Sequence, residues 1–303
     1  MNGRHRRKGV YIMKNFAITT DSTSDLPESY LKEKGIPEAL LSYSLGGKIY
    51  GGEEKLEVKE FYDMMRNGQM PTTQAANPEE LREMFQGYLD KGISVLHLSF
   101  SSALSSSCSN AMMVAEELNE TYSQKDVKVI VVDTLAASLG EGLVVYKAQE
   151  MKEAGKTLEE TAKWVEDHKL NFCHQFTVDD LFHLFRGGRV SRFTAVAGSL
   201  IKVKPVLHVD DEGRLIPIGK VRGRKKSLAA LVENMERTIG SYRDKNDIIF
   251  ISHGDCQEDA EYVASLIKER LGIEKFLIGP IGPTIGTHSG PGTVALFYMG
   301  DKR

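Results

Sequence analysis

The chain has 303 residues, 41% of them hydrophobic, and a formal net charge of -3. That length favours two domains over one, and the small negative charge removes the electrostatic reason to expect a nucleic-acid partner. Three cysteines, Cys108, Cys173 and Cys256, share no metal-ligand spacing and form no even framework, which predicts a reducing cytoplasm; no apolar run reaches the length of a membrane span.

Residues 1–12 are basic but lack a following apolar core, so they do not read as a secretory signal. Met13 directly precedes the first strand pattern, and residues 1–12 are expected to be a disordered extension. Residues 16–20 read as a strand and Asp21-Ser22-Thr23-Ser24-Asp25 as a polar turn. Pro27 then suits the first turn of a helix that ends at Lys34. A strand pattern spans 39–44 and a helical one 58–67. Thr72-Thr73-Gln74 follows Pro71 and reads as a loop. Asn77 caps the next helix, with Pro78 in its first turn and Glu80 placed for a capping box. Its stripe of Leu81, Met84, Phe85, Tyr88 and Leu89 reads as core.

The apolar run 93–98 is long enough for one buried strand and ends in Ser99-Phe100-Ser101-Ser102-Ala103-Leu104-Ser105-Ser106-Ser107-Cys108-Ser109. Beyond it Leu104, Cys108, Ala111, Ala115 and Leu118 recur at helical spacing. A helix starting straight after a buried strand turns unpaired N–H groups toward the carboxyl edge of the sheet, a corner that attracts anions. Serine also caps helices, which accounts for Ser101 or Ser102 but not for the whole cluster. Hydroxyls both donate and accept, so they suit a small oxyanion such as a carboxylate. A strand at 127–132, and helices from about Ala137 and Leu158, complete a βα series that implies a parallel sheet.

From about Asn171 the pattern changes. Residues 172–178 read as a strand, then 181–185 and 193–201 as apolar helices flanking Arg186-Gly187-Gly188-Arg189. Strand patterns at 205–209 and 215–221 straddle Asp210-Asp211-Glu212-Gly213, a hairpin signal. A helix to Ile239, a strand at 248–252, a helix to Leu271 and a final run to Tyr298 follow. The reading is an α/β chain of two domains. Residues 13–170 form an N-terminal parallel α/β domain, and 171–303 a C-terminal α+β domain with a mixed or antiparallel sheet. Near the end, the glycines and prolines of residues 279–292 fix a tight path that holds His288 at a defined point.

Several signals lose to plainer readings. Ser199-Leu200-Ile201-Lys202 has the serine-x-x-lysine spacing without its companion motifs, and no Gly-x-Ser-x-Gly elbow exists to serve His253-Gly254-Asp255. Arg222-Gly223-Arg224-Lys225-Lys226 fits a solvated helix start, with a docking patch as its rival. Asp133 has no second acidic ligand beside it, so no metal is assigned.

The ordered set of motifs resembles the DegV family of bacterial fatty-acid-binding proteins. The matching residues are Asp21 to Asp25 as quoted, Thr72-Thr73-Gln74, Ser101-Ser102-Ala103-Leu104-Ser105, Val132-Asp133-Thr134, Arg186-Gly187-Gly188-Arg189-Val190-Ser191, Lys204-Pro205, Val221 to Lys226, and Gly286-Thr287-His288-Ser289-Gly290-Pro291-Gly292. The chain departs from the family pattern at Ala75-Ala76, where Pro-Ser is frequent, and at Ser106-Ser107, where Gly-Thr is usual. The resemblance implies a two-domain DegV-like fold with one long-chain fatty acid between the domains and no cofactor. It implies that Thr72 or Thr73, Ser101, Ser102 and His288 surround the carboxylate. It further implies a partner, a separate fatty acid kinase of the DAK type that binds ATP and makes an acyl phosphate. Arg189 matches the family arginine linked to that kinase, and Arg222 and Arg224 are its companion docking candidates. Leu181, Phe182, Phe185, Phe193, Val196 and Leu200 are candidates for the apolar lining. The alternative is a serine hydrolase acting on acyl esters through Ser102 with His288 or His253.

Overall fold

The computed structural model describes residues 16–52, 54–179, 181–191 and 203–303. The expected extension at 1–12 and the helix expected at 193–201 lie outside them. The chain opens with β1 (Phe16–Asp21), α1 (Glu28–Lys34) and β2 (Glu38–Ala39). It continues through β3 (Tyr43–Leu45), β4 (Lys48–Tyr50), α2 (Val58–Arg66) and β5 (Thr72–Thr73). Then come α3 (Pro78–Leu89), β6 (Ser94–Ser99), α4 (Ser107–Thr121), β7 (Val129–Asp133), α5 (Leu139–Glu153) and α6 (Leu158–His168). The second half holds β8 (Phe172–Thr177), α7 (Phe182–Arg186), β9 (Val203–Val209), β10 (Leu215–Arg222), α8 (Arg224–Thr238) and β11 (Ile249–His253). It closes with α9 (Gln257–Leu271), β12 (Phe276–Pro280), α10 (Pro283–Ser289) and β13 (Val294–Met299).

Two main sheets result. The first, ordered β2-β1-β6-β7, is parallel throughout. Its central strands are buried along their whole length, as a sheet covered on both faces requires. The second, ordered β10-β9-β8-β13-β11-β12, is mixed: β11 and β12 pair in parallel and the other neighbours antiparallel. The β9–β10 hairpin turns where expected, because the Asp210 carboxylate accepts the N–H groups of Glu212 (3.0 Å) and Arg214 (2.9 Å). Helix α5 is the shared layer, touching β1 and β6 of the first sheet and β8, β11 and β13 of the second. Nine of its residues are buried, including Gly140, Glu141 and Gly142. One apolar core therefore runs from Phe16 and Ile18 through Leu139 and Leu143 to Phe172, Phe250 and Phe297. Among the described residues no helix is long and apolar enough to cross a membrane.

Four local expectations are corrected. The strand pattern at 39–44 is two strands in different sheets. β2 stays with β1, the chain leaves at the exposed Leu40, and β3 joins β4 and β5 in a small antiparallel sheet. Thr72 and Thr73 accordingly form the short strand β5 rather than a loop. The helix after the serine cluster does not start straight after its strand: 100–106 intervene and α4 begins at Ser107. The segment 279–292 contains a helix, α10, with Pro283 in its first turn. Asn77 does cap α3, accepting from the Glu79 N–H at 2.9 Å, and a complete capping box forms instead at Thr157 and Glu160 of α6.

Candidate functional site

A cavity of about 270 Å³ lies between the two sheets. Its floor is the face of the mixed sheet carrying His174 and Phe176 of β8, Ala295 and Phe297 of β13, and Val209 of β9. Alternation along a strand puts residues two apart on one face, and the register sets Phe297 opposite His174 and Ala295 opposite Phe176. The parallel half supplies Leu41, Phe100, Leu104 and Ala137, while Leu184 of α7, Ile285 of α10 and Ile281 just before α10 close it. This body is apolar.

One end is polar. Thr73 Oγ1 and His288 Nε2 share a hydrogen bond of 2.8 Å across the boundary between β5 and α10. Beside them Arg189 donates through Nε (3.1 Å) and through a terminal nitrogen (2.9 Å) to the Leu104 carbonyl, and also to the Gly187 carbonyl. Arg186 holds the Pro71 carbonyl at 2.9 Å and the Thr287 carbonyl at 3.1 Å, so it ties together the backbones that carry Thr73 and His288. Burial, reinforced by the neighbouring Arg189 and Arg186, pushes the His288 pKa down to about 3. The imidazole is therefore neutral at physiological pH, and the positive charge of this corner comes from the two guanidiniums. His288 Nδ1 has no partner and is pressed against Gly187, where a Cβ would stand 2.1 Å from it.

Ser105 and Ser106 of the 100–106 loop reach the cavity. The Ser105 hydroxyl is 3.0 Å from that of Ser107, whose oxygen accepts the Ala76 N–H at 3.0 Å. Ser101 and Ser102 do not line the cavity. The fully buried Ser101 hydroxyl donates to the Gly213 carbonyl (3.0 Å), clamping the β9–β10 turn onto the first half, and the exposed Ser102 sends its backbone N–H to Asp133. Thr72 is exposed, one residue from the polar end. Of the expected carboxylate set, the structure brings Thr73 and His288 together and leaves Thr72, Ser101 and Ser102 outside the lining.

The three arginines sit differently from one another. Arg189 is half-buried in the cavity wall, with its donors on backbone carbonyls. Arg222 is exposed at the end of β10. Arg224 is engaged internally, pairing with Asp259 at 2.8 Å and donating to the Gly292 carbonyl at 2.6 Å. None of the described lining candidates lines the cavity, Leu181 being buried in the core and Phe182 and Phe185 exposed; Leu184, which the sequence reading did not name, does line it. Phe193, Val196 and Leu200 lie outside the described residues.

Sequence reasoning missed Ser105 and Ser106 as lining groups, Arg186 as the backbone tie, and His174. The first three stood inside quoted motifs, but spacing does not say which of several adjacent hydroxyls or guanidiniums faces inward. His174 carried no signal, being a single polar residue in a strand pattern. The assembled site has an apolar body ending in the Arg189 cation, a hydroxyl–imidazole pair and further hydroxyls, with Arg186 behind them. It suits an amphiphile with a small anionic head.

The sequence profile of the DegV family, described as uncharacterised proteins, matches residues 15–301. A DegV domain-containing protein of Clostridium perfringens is 44% identical over 293 residues, covering 96% of this chain and 99% of the relative. A fatty acid-binding protein of Thermotoga maritima is 32% identical over 283 residues, covering 91% of this chain and 95% of its own. Among solved structures, a fatty-acid-binding DegV family protein from Thermus thermophilus superposes with a TM-score of 0.83 at 30% identity, over 94% of this chain and 99% of that one. DegV of Bacillus subtilis, a fatty acid binding protein, gives 0.80 at 29% identity, over 95% and 99%.

Proposed function

The chain belongs to the DegV family, and from that premise we propose that it binds one long-chain fatty acid in the cavity between its sheets. In this reading the carboxylate lies at the Thr73–His288 end and a separate ATP-dependent fatty acid kinase receives it there. One observation carries the proposal: the cavity grades from apolar floor to the corner of Thr73, His288 and Arg189, with Arg186 behind them on the Pro71 and Thr287 carbonyls. Burying methylenes contributes about 0.8 kcal/mol each, so a long acyl chain gains on the order of ten kcal/mol before the costs of association. A buried carboxylate without partners costs several kcal/mol; the Arg189 guanidinium and hydroxyl donors offset that.

The head-group roles follow from position. Thr73 donates to the carboxylate, neutral His288 orients Thr73, and Arg189 supplies charge while holding the Leu104 carbonyl that steadies the Ser105–Ser106 turn. Thr72, Ser101 and Ser102 act one layer out: Thr72 continues β5, and Ser101 fastens the hairpin that covers the cavity. Kinase docking falls to exposed cations near Arg222, with Arg224 shaping the helix start behind them. Extraction of the purified protein with organic solvent should release a fatty acid in near-equimolar amount. Thr73→Val with His288→Leu should lower that occupancy at least tenfold; unchanged occupancy would sink the head-group assignment. A cognate kinase with ATP should convert the bound acid to acyl phosphate, and Arg222→Glu should slow that conversion without changing the lipid content.

The hydrolase alternative lacks a supporting geometry. His288 places one ring nitrogen on Thr73 and the other against Gly187, and His253 Nδ1 accepts the Cys256 N–H at 3.3 Å. Neither ring addresses Ser102.

A further inference from the structure

The bulkiest part of the cavity floor is a row of side chains running across the mixed sheet. Phe297 of β13 stands opposite His174 of β8. Extending the β8–β9 register by one residue past Gln175 and His208 brings Val209 beside His174, and Leu215 of β10 pairs with Val209. All four line the cavity. Directly opposed residues project from the same face, so the row is a ridge that reaches the β10 edge of the sheet. Between the ridge and the polar end, the floor is lowered by the small side chain of Ala295, opposite Phe176.

The ridge closes the cavity along the strand direction. Thr177 on β8 is level with Val294, which follows the Ser289–Thr293 turn at the polar end. Three residues of strand separate Thr177 from His174, roughly 10 Å. At that level α5 sits on the ridge: a Cβ on Gly140 would come within 2.2 Å of His174 and 2.7 Å of Phe297. An acyl chain running from Thr73 over Ala295 therefore meets a closed wall and turns. Among the described residues none of β11 or β12 lines the cavity, so the turn is toward β9 and β10. Two strand spacings, roughly another 10 Å, lead over Val209 to Leu215. Leu215 is only partly buried, on an edge strand, and packs against the apolar clusters of both halves. Its place is fixed, because the turn between Val209 and Leu215 is pinned to its surroundings. Ser101 donates to the Gly213 carbonyl at 3.0 Å, and Arg303 bridges the Asp210 carbonyl at 3.1 Å and the Leu135 carbonyl at 2.7 Å.

We propose that Leu215 is the stop for the methyl end of the acyl chain and sets the longest fatty acid that the protein holds. This rests on the fatty-acid reading of the cavity and adds the chain-length class that the cavity accepts. A pinned wall makes the limit sharp, since extra methylenes forced against close-packed side chains are penalised as over-packing. His174, Val209 and Phe297 are buried in the floor, whereas Leu215 is partly exposed, so its side chain can change size without repacking the core.

The test is a competition for the delipidated protein among saturated acids, from myristic through palmitic, stearic and arachidic to behenic acid. The wild-type protein should show an upper limit, with affinity falling at least about tenfold at the next acid of the series. Leu215→Ala removes three side-chain carbons from the wall and should move that limit one acid longer, and Leu215→Phe should move it one acid shorter. Leu184→Ala, on the helix packed against the one that carries His288, should weaken every acid alike and leave the limit in place. A wild-type series without a limit, or a limit that neither Leu215 variant moves, overturns the proposal. So does a limit that Leu184→Ala moves as far as Leu215→Ala does. If one Leu215 variant does not fold, the other decides it. Failure of every acid to bind the wild-type protein would instead overturn the fatty-acid reading itself.

Discussion

The fate of each hydroxyl in the serine cluster is set by its nearest neighbour in space. Ser101 follows a buried strand end, as an anion-binding residue would, yet its oxygen is used by the Gly213 carbonyl 112 residues away. Ser105 and Ser106, four and five residues on, face the cavity. The residue types at the corner were legible; their division between structural and cavity-facing work was not, because that division depends on where the β9–β10 turn docks. The Thr72–Thr73 pair and His288 stood out because the ordered motifs single them out, the pair after Pro71 and the histidine in a glycine-rich stretch, but which threonine meets His288 could not be read from the sequence. The glycine before Gly188 explains part of that stretch's demand. Gly187 lies against His288 Nδ1, and a methyl group there would overlap the ring at 2.1 Å. Because α7 and α10 pack together, Gly187→Ala should swing His288 off Thr73 while leaving both helices formed. We expect at least about a tenfold loss in fatty acid affinity, equivalent to about 1.4 kcal/mol, with an unchanged far-ultraviolet circular dichroism spectrum. Titration calorimetry on delipidated protein measures it, and an affinity within about twofold of wild type would show that the His288 ring position does not matter.

At the scale of elements, periodicity located the long amphipathic pieces and missed those whose pattern is not one-sided. α3 and α6 carry a clear apolar stripe with a cap in front, and both form where expected. α5 is different: Leu139, Leu143, Val144, Val145 and Ala148 are buried around much of its circumference because sheets lie on two sides. A helix buried that way has a weak amphipathic signature, so its position as the shared layer could not be read from spacing. α10 was hidden for another reason: its glycines and prolines read as a loop, although Pro283 is compatible with a first helical turn. The shared helix has a measurable consequence. Leu143 is 1% exposed within the continuous core, so Leu143→Ala should cost about 2–5 kcal/mol. Both sheets use the same helix, so the loss should appear as one cooperative shift in denaturant midpoint, seen equally by circular dichroism and by Trp164 fluorescence. Two separated transitions would mean that the halves unfold independently.

Over the whole molecule, alternating βα patterns followed by a hairpin signal made the two kinds of sheet readable, but the polar joint between them was invisible. That joint is Asp25. Its carboxylate accepts the Gly282 N–H at 2.9 Å, just before the helix that carries His288, and the Ser138 hydroxyl, which lies 3.0 Å from that of Ser252 on β11. Burial pushes the Asp25 pKa up to about 7, against the lowering effect of the Ser138 and Gly282 bonds, with the charge of Glu38 adding to the rise. A carboxyl whose folded pKa lies above its ordinary value of 3.8 binds its proton more tightly when folded. Its stabilising contribution is complete below that ordinary value and is lost as pH climbs through about 7. The neutral histidines act in the opposite sense: His174 and His288 have depressed pKa values, so they cost stability as pH falls below their usual range. Melting of the wild-type protein alone therefore mixes two opposed slopes. Asp25→Asn separates them, because the amide keeps an acceptor for Gly282 and a donor for Ser138 but cannot ionise. The Tm of Asp25→Asn minus that of the wild type should be smallest near pH 4 and grow by about 2–4 °C by pH 8. A difference that is flat with pH, or that shrinks as pH rises, would mean that Asp25 is ionised throughout and that the joint between the halves carries a permanent charge.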